Sequence, residues 1–272
     1  MQRSLSDLAR ELGLGFDPDR VDARDPALIA AVLPALRWFV RSYLGLRTHG
    51  VEHIPRRPAL FVSNHNGGMI GPDMPCTLSV LLETLGPEAP LYALAHDFAM
   101  RHLPIFGRQI QRGGAIRATP DNALRILRTG GSVLVYPGGD LDAYRHSSRR
   151  DEIVILPRTG FARIARDAEV PIVPIVAHGA HRSALIFAEG KRVADRLRMQ
   201  RWARLQRFPL ALALPWGFAA GPWLPYLPLP FPITLRVLPP MWVADGETAD
   251  AAAARVQAAM QSALDDMARD ER

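Results

Sequence analysis

Short apolar runs alternate along this chain with segments of helical periodicity, and that alternation restricts the fold more than any other feature. ALFVSNH (59–65), LYALAH (91–96), SVLVYPGGD (132–140), VPIVPIVAHG (170–179) and ITLRVL (233–238) read as strands. CTLSVLLETLG (76–86), DNALRILRTG (121–130), GFARIARDA (160–168) and residues 248–268 read as helices. Strands alternating with helices hide their apolar faces when helices cover both sides of a mainly parallel sheet. The expected fold is therefore α/β: a single layered α/β/α domain with a largely parallel or mixed sheet, preceded by N-terminal helices. Residues 4–13 and 26–45 are those helices. The second carries Ile29, Val32, Leu33, Leu36, Phe39, Val40 and Tyr43 at helical spacing, with Arg37 and Arg41 on its flank. It either packs on the body of the protein or lies in a membrane surface. A length of 272 residues suits one domain with an appendage. We divide it into an N-terminal helical segment, 1–48, and an α/β domain, 49–272.

The formal charge is +6 and Lys191 is the sole lysine, so the basic character is almost wholly arginine. Arginine grips phosphates and carboxylates bidentately, which suits nucleic acid, phospholipid head groups and phosphorylated cofactors alike. No sheet segment interleaves aromatic and basic residues, so nucleic acid ranks last among these partners. Cys76 stands alone, which excludes an internal disulfide and points to a reducing, cytoplasmic setting. MQRSLSDLARELGLGF at the start carries acids and lacks a sustained apolar core, unlike a secretory signal. Residues 208–235 contain no charge and are long enough to span a bilayer, but prolines recur through them. Each interior proline costs a helix roughly 3 kcal/mol, so attachment to a membrane, if any, should be peripheral.

Several familiar signatures are absent. GGSVL (130–134) starts like a serine nucleophile elbow but lacks the closing glycine, and no nucleotide-binding glycine loop follows a strand. His178 and His181 have a metal-ligand spacing, yet no cysteine or acid lies beside them in sequence, and no metal is expected. His65, His96, Pro137 to Gly139, and His178 all fall at the carboxyl ends of expected strands, where ligands of α/β sheets collect. The charged run DLDAYRHSSRRDE (140–152) reads as an exposed loop. Asp73 is open to two roles: cap of the helix that follows, or orienting partner of His65.

Four segments remain: NHNGGMIGPD (64–73), RGGAIRATP (112–120), VYPGGD (135–140) and VPIVPIVAHGAHR (170–182). In order and spacing they resemble the four blocks of the glycerolipid acyltransferases, the family that includes the lysophosphatidate acyltransferases. The resemblance implies a fatty acyl transfer from acyl-CoA or acyl carrier protein, as co-substrate rather than cofactor, to a glycerolipid hydroxyl at a membrane surface. His65 would be the general base and Asp73 its partner, with Asn64 beside them. The family separates this histidine and aspartate by four residues; here seven intervene, and eight residue steps span up to about 26 Å when extended. Gly67, Gly68 and Gly71 permit a folded-back loop. In the second block Gly114 and Ile116 match, and Arg112 and Arg117 suit the phosphates of coenzyme A or of a head group, or are solvated charges. In the third block Pro137, Gly138, Gly139, Asp140 and Leu141 stand where the family has Pro-Glu-Gly-Thr-Arg, and this Pro-Gly-Gly form resembles the branch acting on mono- and diacylglycerols. Arg145 or Arg158 would then supply the missing cation, unless each is a surface arginine. Glycine-turn amides are the expected donors to the developing oxyanion. The alternative is a lipid-binding protein that kept this fold without the chemistry. The enzymatic reading requires the His65 ring to face a cavity.

Overall fold

A computed structural model describes residues 16–68, 71–97, 100, 104–221 and 226–271. Its strands are β1 (Arg47–His49), β2 (Leu60–Ser63), β3 (Leu91–Ala95), β4 (Ala115–Arg117), β5 (Ser132–Val135), β6 (Ile172–His178), β7 (Leu185–Ala188), β8 (Leu210–Ala213), β9 (Gly217–Ala220) and β10 (Thr234–Val237). Its helices are α1 (Pro26–Trp38), α2 (Asp73–Leu85), α3 (Pro104–Arg112), α4 (Pro120–Arg128), α5 (Gly139–Ala143), α6 (Gly160–Asp167), α7 (Lys191–Arg196), α8 (Met199–Trp202) and α9 (Ala249–Asp270). Seven strands form the central sheet in the order β1-β10-β6-β2-β5-β3-β4. Strands β2 to β6 run parallel, and β10 reverses against β6, so the sheet is mixed with a parallel centre.

Strand β2 lies at the middle, between β5 and β6, and its side chains alternate between two cores. Leu60 and Val62 join Ile126 and Leu127 of α4, Phe161 and Ala165 of α6, and Val256, Met260 and Leu264 of α9. Phe61 faces the other way, with Leu134, Val173 and Ile175, toward Val80 and Leu81 of α2 and Ile29 of α1. Helices thus cover both faces, and the middle of each of these strands is apolar because both of its sides are buried. The carboxyl ends of β2 and β5 open at one edge of the sheet, where His65 follows Ser63 and Pro137 follows Val135.

Helix α1 begins where the Asp25 side chain accepts the Leu28 N–H at 3.0 Å and Pro26 occupies the first turn. The helix expected over 26–45 changes winding at Phe39 into a five-residue π turn, Phe39–Tyr43, closed by Leu44 N–H on the Phe39 carbonyl. It packs through Ile29, Leu33, Leu36 and Val40, while Val32, counted with the apolar stripe, is exposed along with Trp38. The helix expected over 4–13 lies outside the described residues.

One expectation needs correction, and two features were not anticipated. The run 140–152 is not an exposed loop: it holds α5, and Asp140, Asp142, Tyr144 and Arg145 are buried. The proline-rich segment contains β8 and β9, which join β7 in a separate three-stranded antiparallel sheet. Its prolines stay out of the strand interiors: Pro209 precedes β8 and Pro215 sits in the β8–β9 turn, where no ladder donor is lost. Strands β1 and β4, three residues each, were too short to show periodicity. Among the described residues no helix is long and apolar enough to cross a membrane.

Candidate active site

Beyond Ser63 the chain leaves β2 pinned to its neighbour. The Asn64 amide accepts the Ala177 N–H at 2.8 Å and donates to the Ala177 carbonyl at 3.0 Å, so its polar ends are committed to β6. The chain then turns back through Gly67 and Gly68, whose φ values of 71° and 103° disfavour a side chain. At Gly71 the backbone approaches so closely that a Cβ would stand 1.8 Å from the Asn66 carbonyl oxygen. This closes the loop, and His65 Nδ1 meets Asp73 Oδ2 at 2.9 Å across eight residue steps. An ionised carboxylate only accepts, so Nδ1 carries the proton and the lone pair belongs to Nε2. Asp73 is not a capping residue: it is the first residue of α2, preceded by Pro72 in the cap position without any side-chain cap. Its carboxylate lies at the positive end of that helix and is fully buried. Replacing Gly71 by alanine is expected to destabilise the fold by about 1–3 kcal/mol and to separate this pair, read as a lowered denaturation midpoint together with lost activity.

A second set of bonds holds the imidazole from its backbone. The His65 N–H donates to Asp142 Oδ2 at 2.5 Å, and the His65 carbonyl accepts from Arg145 Nη1 at 2.9 Å. Arg145 is completely buried; it pairs with Asp142 Oδ1 at 2.9 Å and donates to Asn66 Oδ1 and to the carbonyls of Asp142, Arg149 and Arg150. Burial pushes the Asp142 carboxyl above its ordinary range, against the opposing pull of Arg145 and of the His65 and Val154 amides. Arg145 is thus neither a surface residue nor aimed at an acceptor; it knits the loop after β2 to the loop after α5.

His181 completes the frame. Its Nδ1 accepts the Gly67 N–H at 3.1 Å and its Nε2 donates to the Arg145 carbonyl at 2.9 Å, which requires a neutral ring. Burial, reinforced by Arg145, pushes its pKa down to about 3. A folded-state value below the unfolded one, near 6.5, gives stability that is present above pH 6.5 and lost as pH falls toward 3. His181→Gln is expected to remove up to about 1.4 kcal/mol per pH unit of that acid sensitivity, measured by urea denaturation at several pH values below 6.5.

Behind the imidazole, the Tyr136 ring lies 4.8 Å from it, centroid to centroid, tilted by 39°. The phenol stays protonated because burial, and then the Asp73 charge, push its pKa well up. Asp73 Oδ1, Thr77 Oγ1 and the Tyr136 hydroxyl are buried without a hydrogen-bond partner among the described residues. His65 is only 3% exposed, so the imidazole lies below the protein surface.

The remaining sequence-selected residues divide into two groups. Pro137, Gly138 and Gly139 follow β5, next to β2, and Arg158 straps their turn by donating to the Gly138 carbonyl at 2.7 Å and to Asp140 Oδ1 at 2.8 Å. Gly114, Ile116 and Arg117 belong to β4 and the turn before it, at the far edge of the sheet, three strands or about 14 Å from β2. Ile116 is buried in the core, Arg112 pairs with Asp25 at 2.7 Å, and Arg117 pairs with Asp19 at 2.6 Å. These arginines fasten the segment before α1 to the sheet. The amides of Gly67, Gly68 and Gly139 donate to His181, Ala143 and Tyr136, so they do not serve as oxyanion donors here. A cavity of about 530 Å³ lined by Arg57, Arg128 and Trp242 lies at the opposite, amino-terminal edge, away from His65. Among the described residues no three His, Cys, Asp or Glu side chains gather as a metal site.

The family model described as Acyltransferase matches residues 45–178, which contain the His65–Asp73 pair and the Pro-Gly-Gly turn. The chain is 30% identical over 236 residues to the uncharacterized protein Rv0502 of Mycobacterium tuberculosis, covering 86% of this chain and 58% of that protein. It is 30% identical over 169 residues to the human DGAT1/2-independent enzyme synthesizing storage lipids, covering 61% of this chain and 48% of that enzyme. The chain therefore spans about half the length of these relatives. Its fold is shared with the crystal structure of the 1-acyl-sn-glycerophosphate acyltransferase PlsC from Thermotoga maritima: TM-score 0.53, 16% identity, 88% of this chain and 81% of that one. Residues 45–178 thus form an acyltransferase domain, built on a parallel-centred α/β sheet with a histidine paired to an aspartate at its carboxyl edge.

Proposed function

We propose that this protein moves a fatty acyl group from acyl-CoA or acyl carrier protein to a hydroxyl of a glycerolipid or lysophospholipid acceptor, at the cytoplasmic surface of a membrane. The observation that carries the reading is the 2.9 Å contact of His65 Nδ1 with Asp73. With Nδ1 protonated, Nε2 takes the acceptor's hydroxyl proton as its oxygen attacks the thioester carbonyl. Asp73 stabilises the imidazolium that forms. The C–S bond then breaks, the imidazolium returns its proton to the departing thiolate, and no enzyme nucleophile or metal is needed to balance the step. Asp142 and Arg145 keep the His65 backbone fixed while the ring changes charge.

Arg158, the cation beside the Pro-Gly-Gly turn, is already paired with Asp140, which favours an acceptor without a phosphate, such as mono- or diacylglycerol. The likeness to an enzyme named for storage-lipid synthesis supports the same choice. The test is a matrix of labelled acyl-CoA and acyl-carrier donors against lysophosphatidate, other lysophospholipids, monoacylglycerol and diacylglycerol. Product on the neutral acceptors is expected; product on lysophosphatidate alone would overturn the acceptor assignment. One observation, the 3% exposure of His65, favours a second reading as a lipid-binding protein without chemistry. That reading stands if no pair in the matrix gives product.

A further inference from the structure

We infer that the small sheet β7-β8-β9 and its basic connection form the face by which this protein docks on an anionic lipid bilayer. The inference builds on the reading of a lipid-directed acyltransferase and locates the surface that reading requires.

The pleat separates two unlike sides. Ile186 points inward, packing with Ala143, Tyr144 and Ala211. On the outward side Leu185 lies opposite Leu212, and Leu212 opposite Phe218, so the three form one row across the strands. Phe187 adds its ring 6.1 Å from that of Phe218, which is 84% exposed. Leu210, Leu214 and Trp216 extend the exposed apolar row to the hairpin tip. Scattered exposed leucines need no explanation, but a contiguous aliphatic and aromatic face on one sheet marks an interaction surface.

Charge identifies what covers it. Residues 185–221 contain seven cations and two acids, a net +5 of the chain's formal +6. Glu189 pairs with Arg207 and Asp195 with Lys191. Arg192, Arg196, Arg198 and Arg201 are exposed on α7 and α8 and in the link between them, and make no ion pair among the described residues. Helix α7 also exposes Val193, and Leu197 follows one turn later beyond its end, so apolar and cationic groups alternate there. An uncharged apolar row that runs from the hairpin tip to the end of the sheet where the connection with its unpaired arginines leaves matches a bilayer, whose head groups attract the cations while its interior takes the apolar side chains. A second copy of this chain would bring two +5 surfaces together across a self-complementary contact, which like-charge repulsion opposes. An acidic carrier protein would meet the arginines but leave the apolar row uncovered.

The face also stands next to the chemistry. The inward side of β7 lies on α5, whose Asp142 holds the His65 N–H, and the Ile186 N–H donates to Ser147 Oγ at 2.8 Å. Docking through β7-β8-β9 therefore leaves the small sheet and α5 between the lipid phase and His65.

The full chain is tested by flotation with vesicles of phosphatidylcholine alone and of phosphatidylcholine mixed with phosphatidylglycerol. Wild type is expected to float with the mixed vesicles about tenfold better, an advantage that salt removes. Phe218→Asp, which disturbs no buried contact, should lower that binding about tenfold or more with unchanged melting temperature, and Arg196→Glu with Arg201→Glu should abolish the preference for anionic vesicles. Trp38→Ser, an exposed position on α1, should bind as wild type does. Failure of the wild type to float, normal floating by Phe218→Asp, or loss in Trp38→Ser instead would each overturn the inference. So would a dimer in sedimentation velocity that Phe218→Asp dissociates, or capture of acyl carrier protein that requires Phe218. Because His65→Gln, which keeps a donor to Asp73, should float like the wild type, failure of docking and failure of acyl transfer are read separately.

Discussion

Acyl transfer by the His65→Ala protein is expected to fall by about 10² to 10⁴-fold, with kcat and kcat/KM falling together, because general-base assistance operates only in the transition state. Alanine also leaves the buried Asp73 carboxylate without its partner, so a poorly folded variant would mimic a catalytic loss. His65→Gln separates the two: its side-chain amide still donates to Asp73 but has no basic nitrogen to accept the acceptor's proton. A glutamine variant with wild-type melting and a comparable loss of rate assigns the base. Asp73→Asn is expected to cost on the order of 10² or more, because an amide facing Nδ1 permits the wrong tautomer. Labelled product measured over time for all three variants is the readout. Rates equal to wild type in His65→Gln would remove His65 from the chemistry and leave only the fold.

The parallel centre of the sheet was legible because β2, β5 and β6 are buried on both sides through their middles and are apolar there. Strand order was not, since the antiparallel placement of β10 against β6 depends on tertiary contacts rather than on local pattern. Sequence placed His65 and Pro137 at one edge correctly, and the glycines around position 70 showed that the chain there had to bend sharply. What they did not show is that Gly71 lies against Asn66, which is what carries Asp73 back to the imidazole. Arg112 and Arg117 looked like ligands for phosphate because Asp25 and Asp19, their partners, lie 87 and 98 residues earlier. The run 140–152 was misread for a related reason: charge normally signals solvent, but Asp142 and Arg145 neutralise one another in the interior. The spacing of three residues between them, just after the Pro-Gly-Gly turn, was the available signal. The role of His181 as acceptor of the Gly67 amide required coordinates.

The largest loss of stability is expected at Arg145, and it tests whether the clamp on His65 is a folding device, a catalytic one, or both. Arg145→Met keeps much of the side chain's volume but removes the charge, leaving the buried Asp142 carboxyl without its ion-pair partner. Breaking a buried pair in this way costs about 3–5 kcal/mol. The same change removes the guanidinium that holds the Asp142 pKa down, so that value rises further above its unfolded one. A raised folded-state pKa gives stability that is present below the unfolded value and lost as pH climbs through the folded value. The Arg145→Met deficit should therefore shrink on acidification, by up to about 1.4 kcal/mol per pH unit, opposite in sign to the His181 effect over the same range. Adding Asp142→Asn should restore part of the loss, because the amide oxygen can still accept the His65 or Val154 N–H without a charge to neutralise. Urea denaturation of the two single variants and the double variant at several pH values closes the cycle. If the double variant recovers its stability yet transfers acyl groups slowly at a temperature where it is fully folded, Arg145 also positions His65 through its bond to the His65 carbonyl. Recovery of both quantities together would make the clamp a folding device alone.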